Sequence, residues 1–225
     1  LPAETVRAML VILIASLSRG RSGVRPILVQ AIADMLNAGI TPVVPSVGSV
    51  GASGDLAPLA SAMRPLLGEG EVTVDGRRVG AREAFSSAGL EPIDLTAKEG
   101  LALINGTHLM CAQAVLVMAD LERIMDGALI AAAMSIEGCL ATDAFLDGRI
   151  YEARNHTGPA RVAARLRAAL HESEIVASHK EGDPRVQDPY SLRCVAPVLG
   201  AALDSIDHFR CALLRELGAV TDYPL

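Results

Sequence analysis

The chain has 225 residues, and 20 Lys and Arg against 26 Asp and Glu give a formal charge of −6, an acidic balance that argues against binding a phosphate backbone. Apolar residues at 51% and charged ones at 20% exclude a disordered chain. A chain this long buries roughly 70% of the surface it exposes when unfolded, and with 3% aromatics and no Trp the core falls to Ala, Leu, Val and Ile.

Pro2 and Glu4 suit a first helical turn, and an apolar run follows from Val6 to Leu17 until Arg19-Gly20 stops it. Residues 26–37 fit a second helix, ended by Gly39. Residues 40–54 lack helical character and are rich in Val, Ser and Gly, with Pro42 and Pro45. A helix resumes near Leu56 and runs to about Leu67. Residues 71–79 alternate like a strand around Asp75-Gly76, a hairpin turn. Residues 81–87 read as a short helix, and 96–103 as another with a Thr cap, interrupted by Asn105-Gly106-Thr107.

From His108 to about Phe145 there is no Pro, and apolar residues recur at spacings of three and four, which predicts one very long helix. Residues 147–159 read as a loop, 160–171 as a basic amphipathic helix and 174–189 as a polar loop. Residues 190–217 form a final helical run in which Pro197 is expected to make a kink. The fold class is mainly α, a bundle of long helices with one small β-hairpin. Residues 128–134 are apolar around the whole helix circumference, which predicts burial on all sides and favours an obligate oligomer.

The richest apolar runs, 9–17 and 128–136, are too short to span a bilayer. Cys111, Cys139, Cys194 and Cys211 are widely spaced without a CxxC, so reduced, buried thiols and a cytoplasmic location are expected. Residue 1 is Leu, no basic-then-apolar leader opens the chain, and the sequence begins inside a helical pattern.

The most unusual segment is Gly48-Ser49-Val50-Gly51-Ala52-Ser53-Gly54-Asp55. Its glycine spacing fits neither a dinucleotide fingerprint nor a P-loop, and Asp55 stands where a phosphate site needs Lys and Ser or Thr. It is also one residue short of a hydrolase nucleophile elbow. The plain structural reading is a flexible loop in which Ser53 or Asp55 caps the following helix. The chemical reading is a backbone cyclisation. The Gly54 amide nitrogen attacks the Ala52 carbonyl carbon, and loss of two waters, one involving the Ser53 hydroxyl, leaves a 4-methylideneimidazole-5-one. Gly54 suits this because a Cβ would block so tight an approach.

Residues 48–59 (GSVGASGDLAPL) resemble the signature of the aromatic amino acid ammonia-lyases, the family of histidine and phenylalanine ammonia-lyase. Residues 18–25 (SRGRSGVR), 98–107 (KEGLALINGT), 186–194 (VQDPYSLRC) and 220–225 (VTDYPL) are similar to further family segments in the same order. The resemblance implies an ammonia-lyase/fumarase-like helical fold. It also implies elimination of ammonia from an aromatic L-amino acid, most directly histidine to urocanate, with a ring derived from Ala52, Ser53 and Gly54 withdrawing electrons. By position, Asn105 polarises the ring carbonyl, Tyr190 sits beside ring and substrate, Arg193 clamps the substrate carboxylate, and Gln187 joins the surrounding network. No metal is implied, and His108, His156, His171, His179 and His208 read as ordinary surface or helix-face residues without ligand spacing.

The resemblance implies a homotetramer with sites shared between subunits, and no nucleic-acid or membrane partner. Residues 1–225 correspond to a single central portion of the family's catalytic domain. The family's N-terminal catalytic Tyr would precede Leu1, and pocket residues of its C-terminal half would follow Leu225. Arg21, Val47, Ser61, His108 and Tyr223 depart from the histidine-specific pattern. A phenylalanine or tyrosine ammonia-lyase, an aminomutase, or a non-catalytic fragment that needs a second chain are the alternatives.

Overall fold

The computed structural model describes residues 1–51 and 54–222, so Ala52, Ser53 and Tyr223 lie outside the described residues. Two compact units are present, one made of residues 1–116 with the stretch from Leu213, the other of residues 117–212.

In the first unit, α1 (Ala3–Leu17) and α2 (Pro26–Asn37) follow their sequence signals. Val6, Met9, Leu10, Leu13 and Leu17 of α1 recur at spacings of three and four and pack with Leu28, Ile32 and Met35 of α2 in one core. Each such buried side chain contributes roughly 2 kcal/mol. The chain continues through β1 (Thr41–Pro42), α3 (Leu56–Met63), β2 (Glu71–Val74), β3 (Arg77–Gly80), α4 (Ala81–Ser87) and α5 (Glu99–Ile104). The expected hairpin is there, with Val72 opposite Val79, and β1 makes it a three-stranded antiparallel sheet in which Pro42 pairs with Val72. A Pro is tolerated because β1 is an edge strand. The helix expected to reach Leu67 changes to a 3-10 turn at Arg64–Leu67, where Pro65 supplies no N–H.

The Thr cap expected at residue 96 is not formed, because α5 starts at Glu99 after Lys98 adopts a positive φ of 73°. The Thr96 N–H instead donates to Glu99 Oε2 at 2.8 Å.

The helix α6 (His108–Gly138) begins as predicted and contributes to both units. It stops short of Phe145: Leu140 turns the chain at φ 49°, and the Arg185 guanidinium donates to the carbonyls of Cys139 and Leu140, occupying acceptors that a longer helix would use internally.

The second unit adds α7 (Gly148–Arg154), α8 (Thr157–Ala169), α9 (Glu174–Ala177), α10 (Tyr190–Arg193) and α11 (Val195–Leu217). The predicted loop at 147–159 thus holds a helix, capped by the Asp147 side chain accepting from Arg149 N at 2.9 Å and ended by Asn155 at φ 54°. The polar stretch 174–189 likewise opens with a helical turn, capped by Ser173. The final run is not one kinked helix. It breaks at Cys194, and Pro197 falls in the first turn of α11, where a missing N–H costs nothing.

Burial on all sides of 128–134 is not met within this chain: Leu129 and Ala133 are buried, but Ile130 and Met134 are 62% and 65% exposed. Only Cys111 is buried among the four free thiols, Cys194 being half-buried and Cys139 and Cys211 exposed, which corrects the expectation of four buried ones. Among the described residues no helix is long and apolar enough to cross a membrane.

Candidate active site

Of the motif segments, 18–25, 98–107 and the described parts of 48–59 and 220–225 meet in the first unit, while 186–194 belongs to the second. Glu99 Oε1 accepts from Arg25 N at 3.0 Å and Nε at 2.9 Å, and Oε2 accepts from Arg25 Nη2 at 2.8 Å. Lys98 Nζ donates to the Ser22 carbonyl at 2.6 Å and lies 3.5 Å from Asp222 Oδ2, while Ser22 Oγ donates to Asp222 Oδ1 at 2.8 Å. Segments 18–25, 98–107 and 220–222 are thereby tied together around the start of α6.

Into this frame comes the glycine-rich loop. Gly54 forms a parallel bridge with Gly106, and the Asp55 N–H donates to the Gly106 carbonyl at 2.8 Å. Both glycines have positive φ, 97° at Gly54 and 134° at Gly106. A Cβ on Gly54 would run into the Gly106 carbonyl oxygen and lie 2.8 Å from its nitrogen, so the two backbones meet at a distance only glycine permits.

Asp55 does not cap its own helix α3. Its Oδ2 accepts from Leu109 N at 3.0 Å and Met110 N at 3.1 Å, capping the distant α6, and its Oδ1 accepts from Ser49 Oγ at 3.2 Å. A carboxylate there satisfies two orphan donors and suits the positive end of the helix dipole. Thr107 completes the junction, its N–H donating to Thr221 Oγ1 at 3.3 Å and its Oγ1 to Glu216 Oε1 at 2.6 Å. Asn105, half-buried, ends α5 in an extended conformation immediately before Gly106.

His108 is not the ordinary surface or helix-face residue expected from sequence. It is 2% exposed, and neither ring nitrogen has a hydrogen-bond partner among the described residues. Burial pushes its pKa below the usual histidine value against the opposing pull of Asp222, Asp55 and Glu216.

Two groups therefore make the fold acid-sensitive. The Arg25 side chain, with further help from the Thr96 and Arg25 N–H groups, holds the Glu99 carboxyl well below its ordinary 4.5, at about 2. A carboxyl with a depressed folded pKa stabilises above its unfolded value, and this is lost as pH falls from about 4.5 towards 2. The buried neutral His108 works in the same direction higher up, its contribution fading as pH drops below 6.5. Glu99→Gln should cost about 2 kcal/mol at neutral pH and flatten the lower phase of a stability-against-pH curve measured by urea unfolding.

In the second unit the structure brings Gln187, Tyr190 and Arg193 together. Gln187 Oε1 accepts from Arg193 Nη1 at 2.6 Å, and the guanidinium lies over the Tyr190 ring, 5.3 Å from its centroid. Tyr190 is 70% exposed. The preceding segment is pinned by Asp188, whose Oδ2 accepts from Thr142 N at 2.9 Å and whose Oδ1 lies 3.5 Å from Arg185 Nη1. Arg185 also pairs with Asp183 at 2.7 Å. A groove of about 750 Å³ has Tyr190 on its wall and Ala128, Ile136, Val195 and Val198 among its apolar lining. Of the predicted residues, Gly54 and Asn105 thus belong to one unit and Gln187, Tyr190 and Arg193 to the other, while Ala52 and Ser53 fall outside the described residues. Asp55 as the α6 cap, the Arg25–Glu99 pair and the buried His108 are not evident from sequence alone. The Thr96-x-x-Glu99 spacing was the available signal for Glu99.

The class of protein follows from comparison with known sequences and structures. The family model described as aromatic amino acid lyase matches residues 1–225. The histidine ammonia-lyase of Aromatoleum aromaticum is 48% identical over 225 residues, all of this chain and 43% of that protein. The crystal structure of histidine ammonia-lyase from Trypanosoma cruzi (36% identity, TM-score 0.89, 100% of this chain and 41% of that one) and a structure of the Pantoea agglomerans phenylalanine aminomutase (31%, 0.90, 98% and 45%) superpose on it. The chain belongs to the aromatic amino acid lyase family. It spans about 43% of the length of the curated relatives it matches.

Proposed function

We propose that this chain is the central portion of the catalytic domain of an ammonia-lyase that releases ammonia from an aromatic L-amino acid, histidine before others. The observation that carries the reading is the Gly54–Gly106 contact, directly after Ala52-Ser53. It is a backbone cradle that any Cβ would fill, and it fits a 4-methylideneimidazole-5-one made from Ala52, Ser53 and Gly54. That group supplies an electrophile that turns the α-amino group into a good leaving group.

The chain's own side chains bind and orient. Arg193, already fixed on one side by Gln187 and stacked on Tyr190, offers its remaining N–H groups to a substrate carboxylate in the forked geometry a guanidinium favours. Tyr190 adds an exposed phenol beside it for substrate contact or proton movement. Asn105 acts near the ring, placed by its peptide link to Gly106. Histidine ranks first because the relatives named histidine ammonia-lyase are 46–48% identical over essentially the whole chain.

The exposed apolar side chains Ile130 and Met134 on α6, and Val47 and Val50 on the glycine-rich loop, support assembly into a tetramer, and a cytoplasmic location accords with the free thiols.

A panel of L-amino acids, offered to the purified chain alone and mixed with polypeptides carrying the flanking family segments, tests the substrate. Urocanate formation is expected. Cinnamate or coumarate would move the substrate to phenylalanine or tyrosine, a β-amino acid would make it an aminomutase, and no product in any combination would make the chain a scaffold. In the active assembly Arg193→Lys should raise KM about tenfold or more with a smaller effect on kcat, since a point charge cannot replace the fork. An unchanged KM would remove Arg193 from carboxylate binding.

A further inference from the structure

We propose that His108 is a positioning residue for ring closure: its buried imidazole braces Gly106, and Gly106 in turn fixes the Gly54 amide nitrogen that must reach the Ala52 carbonyl carbon. This rests on the ring-forming reading above. Three layers of contact carry it. The first is Gly54 on Gly106, where an added Cβ at Gly54 would also lie 2.9 Å from the Gly106 carbonyl carbon. The second is Gly106 on His108, since a Cβ at Gly106 would collide with His108 Cε1 and lie 2.7 Å from Nδ1, with Thr221 Oγ1 at 2.9 Å closing the same side. The third is the imidazole itself, 2% exposed and without a hydrogen-bond partner for either nitrogen among the described residues.

A buried polar ring with no partner is disfavoured, and such exceptions cluster where strain or catalysis needs them. An aliphatic side chain would fill the same core without that penalty. What the imidazole adds is a flat, rigid, uncharged plate against a glycine that tolerates no other approach. Its neutrality follows from burial, although Asp55, Glu216 and the Lys98-paired Asp222 lie around it.

The chemistry being positioned needs no outside reagent. A bond forms from Gly54 N to the Ala52 carbonyl carbon. The carbonyl oxygen leaves as water with the amide protons of Gly54 and Ser53, giving a C=N bond. The Ser53 hydroxyl then leaves as a second water with its own Cα proton, giving the exocyclic C=C bond. The first step depends on approach distance and angle, and a displacement of about 1 Å in such a step costs up to about a hundredfold in rate.

The test is a time course of intact mass on the purified chain, alongside the thermal melt of each variant. The parent chain is expected to lose two waters. His108→Ala should keep a cooperative melt yet dehydrate about a hundredfold more slowly, and His108→Gln, which returns planar bulk beneath Gly106, should recover most of the rate. If His108→Ala does not fold, His108→Val serves in its place, filling the core near the backbone while withdrawing the atoms that reach Gly106, and the same delay is expected. Folded variants that dehydrate at the parent rate overturn the proposal alone. A parent chain that never loses water overturns the ring reading and the proposal with it.

Discussion

Gly106→Ala is expected to leave Ala52-Ser53-Gly54 undehydrated and to cost at least about 3 kcal/mol of stability. The added Cβ has nowhere to go: it meets the His108 ring on one side and Thr221 Oγ1 on the other, and the φ of 134° is one that L side chains rarely adopt. Relief requires the 105–107 peptide to move away from Gly54, which also breaks the bond from Asp55 N to the Gly106 carbonyl. Ring formation and folding should therefore fail together. A variant with a normal melt and a mass lower by two waters would show that the Gly54–Gly106 contact is dispensable. The expectation is specific to this junction: a methyl added at Gly127 of α6 would meet nothing within 4 Å, and Gly127→Ala should be harmless.

Asp55→Ala is the second large effect. Removing this carboxylate leaves the N–H groups of Leu109 and Met110 without their acceptor at the head of a 31-residue helix and takes away the acceptor of the Ser49 hydroxyl. The loss should be about 3 kcal/mol, read by urea unfolding, against about 1 kcal/mol for Asp55→Asn, which keeps an acceptor but not the charge at the helix dipole. Equal losses in the two variants would mean that the charge is irrelevant to capping.

Asp55 also shows what sequence reveals and what it hides. A Gly-Asp pair before Leu56 reads locally as a cap for the helix that follows, and the acid does cap a helix. The helix is α6, which starts at His108, and nothing local signals a partner that far along the chain. The end of α6 is hidden for the same reason, since the Arg185 guanidinium that takes the Cys139 and Leu140 carbonyls comes from a segment beyond α9. Some local signals are legible, although the Asp147 cap of α7 is not among them. Pro26 opens α2, and Asn105-Gly106-Thr107 precedes α6. Of the site, the Gln187–Tyr190–Arg193 cluster follows from near neighbours in sequence, two of them one helical turn apart. The burial of His108 is not legible, because a lone His at a helix start carries no mark of Gly106 and the three carboxylates that the fold brings near it.

Ile130 and Met134 remain exposed on α6. An all-apolar helix circumference predicts complete burial, and one copy of this chain covers only the side that carries Leu129, Ala133 and Ile136.

Cyclisation of the Ala52-Ser53-Gly54 backbone is the step on which the proposed function depends. It is tested most directly by the intact mass of the purified chain beside that of Ser53→Ala. The expected parent mass falls short of the sequence value by two waters, and the Ser53→Ala mass keeps them. A parent chain at its full sequence mass, folded and with an intact melt, would contradict it.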